Sequence, residues 1–88
     1  MRIIIVDDNE DNRIILKKML QRAGHVVQEA QNGEEALNLI RASAPDMIIS
    51  DILMPVMDGF QLCRRVKGDD TLNSILFVFY TATYTDLR

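Results

Sequence analysis

The chain has 88 residues, 48% of them hydrophobic and 26% charged, which excludes a disordered polymer and leaves room for one small domain with a modest core. Its net charge of -3 argues against a broad nucleic-acid-binding surface, and its single cysteine excludes an internal disulfide. No apolar run approaches the ~18 residues of a membrane-spanning helix, and the N-terminus lacks the pattern of a secretory leader, so a cytoplasmic location is expected.

Ile3 to Val6 is short, β-branched and continuous, as suits a strand covered on both faces. Asn9 to Asn12 then supplies capping and acidic residues for a helix start. Ile15, Leu16, Met19 and Leu20 recur at helical spacing, and Gly24 after Ala23 reads as the helix end. Val26 and Val27 open a second strand that ends near Ala30. His25 at its start reads as a surface or edge residue.

Asn32-Gly33 is a turn, and Glu34-Glu35 places acid in a first helical turn. Ala36, Leu37, Ile40 and Ala44 form the apolar stripe of that helix, and Pro45 ends it. Met47 to Ser50 is a third strand. A loop over 52–57 leads through Asp58-Gly59 into a helix whose buried face is expected to comprise Phe60, Cys63 and Val66, with Leu62 beside them. Lys17-Lys18 and Arg64-Arg65 read as solvated helix faces. Ile75 to Tyr80 is a fourth strand, with Tyr80 packing inside it, and a further helix is expected to begin near Thr85-Asp86.

The order β-α-β-α-β-α-β, with short connections, predicts an α/β domain with a doubly wound parallel sheet. Sites in such sheets lie beyond the carboxyl ends of the strands. Asp7 and Asp8 follow the first strand, Asp51 the third and Thr81 the fourth. Singly, each has an ordinary explanation: a helix cap, a turn residue, a strand-end hydroxyl. Together they place three carboxylates and a hydroxyl at one edge of one sheet. Like charges held that close are costly. A divalent cation relieves the cost, and three carboxylates with a backbone carbonyl make the hard oxygen site that Mg²⁺ prefers. An Asp so placed can act as a nucleophile toward a phosphoryl group, and a hydroxyl such as that of Thr81 can donate to a phosphoryl oxygen.

The stretches Ile3-Ile4-Ile5-Val6-Asp7-Asp8-Asn9, Ala30 to Leu37 and Pro45 to Gly59, with the apolar strand running into Thr81-Ala82, resemble the receiver domain of two-component response regulators over the whole of residues 1–88. The resemblance implies a flavodoxin-like fold and a phosphorylation-controlled signalling role. It assigns Asp51 as phosphoacceptor, Asp8 as a direct Mg²⁺ ligand, Asp7 as a direct or water-mediated one, and the Leu53 backbone carbonyl as a further ligand. Thr81 is the implied switch hydroxyl, with small Ala82 beside it. Pro55 and Gly59 shape the loop, and Leu53 and Thr83 sit where phosphate lifetime is tuned. The implied partners are a histidine kinase or a histidine phosphotransfer protein, with no direct contact to nucleic acid or membrane.

The family also has a fifth strand, a lysine after it and a last helix, none of which falls within these 88 residues. The resulting expectations are weak phosphorylation of this chain, retained Mg²⁺ binding, and a dimer or higher oligomer formed through the fourth-strand edge or the sheet face beside the first helix. Two other readings compete. A haloacid-dehalogenase-type phosphatase needs a second Asp two residues after the nucleophile, where Leu53 stands. A pure interaction module would not need the acidic triad, but the missing fifth strand and lysine favour a non-phosphorylatable interaction role for this 88-residue chain.

Overall fold

The computed structural model describes residues 1–80. Its elements are β1 (Arg2–Val6), α1 (Glu10–Arg22), β2 (Val26–Ala30), α2 (Gly33–Ala42), β3 (Met47–Asp51), α3 (Gly59–Lys67) and β4 (Leu76–Tyr80). The strands form one parallel sheet in the order β2-β1-β3-β4. This is the doubly wound α/β arrangement read from the alternation of apolar runs and amphipathic segments. The expected helix near Thr85-Asp86 lies outside the described residues, as do Thr81 to Thr83.

Register and a two-residue side-chain period divide the sheet into two faces. Ile4 pairs with Ile48, which pairs with Phe77. These three face the main core, where Val6, Ala36, Leu37, Ile40, Leu62, Val66, Leu72 and Ile75 pack around them. Ile3, Ile5, Met47 and Ile49 alternate with them and face the side of α1. β1 is the one strand whose apolar residues, Ile3 to Val6, are all buried, because it has a neighbour on each side and helices on both faces.

The helices begin where short polar side chains satisfy the first free amides. Asn9 Oδ1 accepts from the Asn12 amide at 3.0 Å, and Asn32 Oδ1 from that of Glu35 at 2.8 Å. Asp58 and Gln61 form a reciprocal capping box on α3, with bonds of 2.8 and 2.9 Å. α1 closes on Ala23, and Gly24 follows with φ +93°, a conformation that glycine adopts without a side-chain penalty.

Two packing expectations are corrected. α2 ends at Ala42 and Ser43 is extended, so Ala44 leaves the apolar stripe and is exposed, while Pro45 is buried. On α3, Leu62 and Val66 carry the buried face; Cys63 is half-buried and Phe60 is 48% exposed, its ring held by Phe79 at a centroid distance of 5.0 Å. The hundred-degree step between helical residues puts Phe60 and Leu62 on different faces, and the core selects Leu62. On α1 no residue is fully buried, and Ile15 and Met19 are each 61% exposed. Among the described residues α1 is the sole helix on its face of the sheet. It leaves beside it an apolar groove of about 240 Å³ lined by Ile15, Leu16, Met19, Ile49, Tyr80 and Asn12.

Leu62→Ala should therefore cost about 2–5 kcal/mol in unfolding free energy, as a cavity forms at a fully buried site. Phe60→Ala should cost about 1 kcal/mol, mostly the loss of its ring contact. Urea unfolding midpoints of the two variants test this order.

Candidate functional site

The parallel register brings the carboxyl ends of β1, β3 and β4 to one edge of the sheet. Asp7 continues β1, and its amide donates to the Ala30 carbonyl of β2 at 3.1 Å. Asp51 is the last residue of β3 and pairs with Tyr80, the last of β4. Carboxylate oxygens of Asp7, Asp8 and Asp51 all lie within 4.8 Å of one another. Asp7 and Asp51 are 0% and 1% exposed, while Asp8 faces solvent.

Burying two carboxylates side by side demands compensation, and local donors supply part of it. Asp7 Oδ1 accepts from the Asn9 amide at 2.9 Å. Asp7 Oδ2 accepts from Asn12 Nδ2 at 3.2 Å and from the Tyr80 hydroxyl. Asp51 Oδ1 accepts from the Ile52 amide at 2.8 Å. Asp8 carries the residual strain: partial burial, and then the charge of Asp7, push its carboxyl above the usual range. The Tyr80 phenol is pushed up by burial and by Asp7, so it stays a proton donor.

The loop after β3 frames the pocket. The Gly59 amide donates to the Ile52 carbonyl at 2.8 Å, drawing the start of α3 under the site. A Cβ at Gly59 would lie 2.4 Å from the Asp51 carbonyl oxygen, so this approach requires glycine. The Met57 amide donates back to the Pro55 carbonyl at 2.8 Å around Val56, whose φ is +71°. This is a γ-turn of the strained kind, on a β-branched residue. Leu53 lies in this loop, exposed, two positions after Asp51.

The donor set is all oxygen, and its spacing suits a small hard cation, so the residues fit Mg²⁺. Of the residues singled out in the sequence, Asp7, Asp8 and Asp51 are brought together. Thr81 lies outside the described residues. The Lys67 ammonium is engaged elsewhere: it donates to the carbonyls of Asn73 at 3.1 Å and Ile75 at 2.6 Å, where it closes α3 onto the segment before β4.

Sequence reasoning missed three contributors. Tyr80, expected only to pack, also reaches Asp7. Asn12, read as a capping residue, bonds the same oxygen. Arg13 donates to the Asp7 carbonyl at 2.6 Å and pairs with Glu29 at 3.2 Å, joined by Lys17 at 3.1 Å. The signal for Tyr80 lies in the register of the sheet, which puts residues 7, 51 and 80 in one row on one face.

A four-stranded parallel sheet with three helices, in the order β2-β1-β3-β4, places the chain among the flavodoxin-like α/β domains. The response regulator receiver domain model matches residues 3–87, and the chain belongs to that family. It is 39% identical over 74 residues to the transcriptional regulatory protein AfsQ1 of Streptomyces coelicolor, covering 84% of this chain and 33% of that protein. Among solved structures, the N-terminal domain of a response regulator receiver protein from Methanoculleus marisnigri superposes with a TM-score of 0.88 at 34% identity, over 92% of this chain and 66% of the other. The receiver domain of a signal transduction histidine kinase from Syntrophus aciditrophicus gives 0.88 at 40% identity, over 91% and 61%. The first matching curated relatives are longer, and the chain spans between 30% and 63% of their length.

The ion pairs around Glu29 give a pH-dependent contribution. Burial alone would raise its carboxyl, but hydrogen bonds from Lys17 and Arg13 outweigh that and hold it below its ordinary 4.5. Stability from this acid is present above pH 4.5 and is lost as the pH falls through the depressed folded value. Glu29→Gln should lower stability at pH 7 by about 0.5–1 kcal/mol, because the pairs are partly exposed. The gap to the parent protein should shrink in acid, as followed by urea unfolding across a pH series.

Proposed function

We propose that this receiver domain binds Mg²⁺ at Asp7, Asp8 and Asp51 and accepts a phosphoryl group on Asp51 from a phosphohistidine of a histidine kinase or histidine phosphotransfer protein. The observation that carries this reading is the clustering of three carboxylates at the sheet edge, two of them buried. When bound, the ion offsets the repulsion among the acids and the negative charge of the phosphoryl group.

The chain's own residues do the rest. A carboxylate oxygen of Asp51 attacks phosphorus as the phosphorus–nitrogen bond of the donor breaks, and the departing imidazole takes up a proton. The Ile52 amide on Oδ1 orients the acceptor, and Gly59 keeps the loop from swinging away from it. Asp7, Asp8 and Asp51 would hold the cation with the Leu53 carbonyl, and Thr81 would donate to the new phosphoryl group, carrying the change to a partner or output. The protein thus acts as a switch in the cytoplasm rather than as an enzyme with its own small-molecule substrate. Its acidic balance, 13 Asp and Glu against 10 Lys and Arg, leaves nucleic-acid contact to other parts of any longer regulator.

The dehalogenase-type reading fails on Leu53, which stands where that chemistry needs a second carboxyl. In a version extended to the length of the matching solved receivers, incubation with a phosphohistidine donor and Mg²⁺ should label Asp51. Asp51→Asn, or chelation of the metal, should remove the label. Persistence of labelling in Asp51→Asn would overturn the assignment.

We also propose that the 88-residue chain self-associates. β4 is an edge strand among the described residues, with Leu76 and Val78 exposed, and the groove beside α1 is apolar. Light scattering should show a mass that rises above the monomer with concentration; a constant monomer mass refutes this.

A further inference from the structure

We infer that the Tyr80 hydroxyl is a positioning group of the acidic pocket: with Asn12 it clamps one oxygen of Asp7, so that the other oxygen alone is presented to a divalent cation. This rests on the proposal that the pocket takes such a cation.

The argument is one of hydrogen-bond capacity. An ionised carboxylate offers roughly four lone-pair positions, two on each oxygen. On Asp7, Oδ2 receives both Asn12 Nδ2 and the Tyr80 hydroxyl, which fills it. Oδ1 receives the Asn9 amide, which leaves one position. A buried carboxylate held by three donors cannot rotate without breaking at least one of them, and its remaining lone pair has a fixed direction. Groups that bond the far side of a metal ligand in this way orient it, and their removal typically weakens metal binding by about 10–100-fold.

Geometry makes Tyr80 suited to the task. It ends β4, two inter-strand steps of about 4.8 Å each from β1, and its register partner is Asp51. Its side chain shares the face and row of Asp7 and Asp51, so the ring passes across the row and delivers its hydroxyl to Asp7. A phenylalanine here would fill the same volume and leave Oδ2 with Asn12 alone. The residue immediately after Tyr80 is Thr81, so the contact also ties the metal-site acid to the strand end that leads into the proposed switch hydroxyl.

The test is a Mg²⁺ titration of the protein and of Tyr80→Phe, followed calorimetrically. Binding about tenfold weaker in Tyr80→Phe is expected, with Asn12→Ala weakened in the same sense. A second readout uses ring-labelled tyrosine in a Tyr84→Phe background, where the Tyr80 ring carbon bonded to oxygen should shift on the same Mg²⁺ concentration scale as the heat. That signal reports the hydroxyl contact itself and needs no variant at position 80. Unchanged or tighter binding by Tyr80→Phe, or a ring signal indifferent to Mg²⁺, overturns the inference while leaving the metal site intact. Absence of Mg²⁺ binding by the parent protein overturns the pocket reading and the inference with it.

Discussion

Asp7 and Asp51 are buried beside one another, and their repulsion is the constraint around which the carboxyl edge of the sheet is arranged. Each has its own amide donor, from Asn9 and Ile52, supplied by the chain as it turns out of the strand. The turn direction is therefore coupled to the charge. Where the acid ends the strand, the next amides fold back to meet it, and that fold-back starts α1 on one side and the β3–α3 loop on the other. Asp8, left in solvent, is the acid that still feels its neighbours. The pocket is thus half-solved by the protein and half-left for a cation.

The same edge depends on a backbone contact at Gly59. Because no Cβ intervenes, α3 begins in direct van der Waals contact with the Asp51 carbonyl, and its position is set by main chain rather than by side-chain packing. Leu62 and Val66 then anchor the helix on the core below. The pocket wall and the core are in this way held by one element, so loosening the core at Leu62 also loosens the frame of Asp51.

Much of this was legible in the sequence because it follows from periodicity and from strand ends. The order of elements, the parallel sheet and the meeting of Asp7, Asp8 and Asp51 all come from where apolar runs stop. What was less legible depends on which of two adjacent faces a helix turns inward. Phe60 is larger and more apolar than its neighbours, yet Leu62 is the residue turned into the core cluster, while Phe60 stays half-exposed. Ala44 was assigned to a helix on spacing alone, but Ser43 breaks the helix first. Tyr80 was read from hydrophobicity as a packing residue, whereas its polar end follows from register across two strands, a relation that no local pattern contains.

The valine turn in the β3–α3 loop has a consequence for how that loop moves. A β-branched residue with φ near +71° stores strain, of order 1–3 kcal/mol for such a conformation. Releasing the Met57 amide from Pro55 gives that strain back, whereas parting β3 from β1 returns nothing. The β3–α3 loop is therefore a segment whose local breathing is separated in free energy from global unfolding.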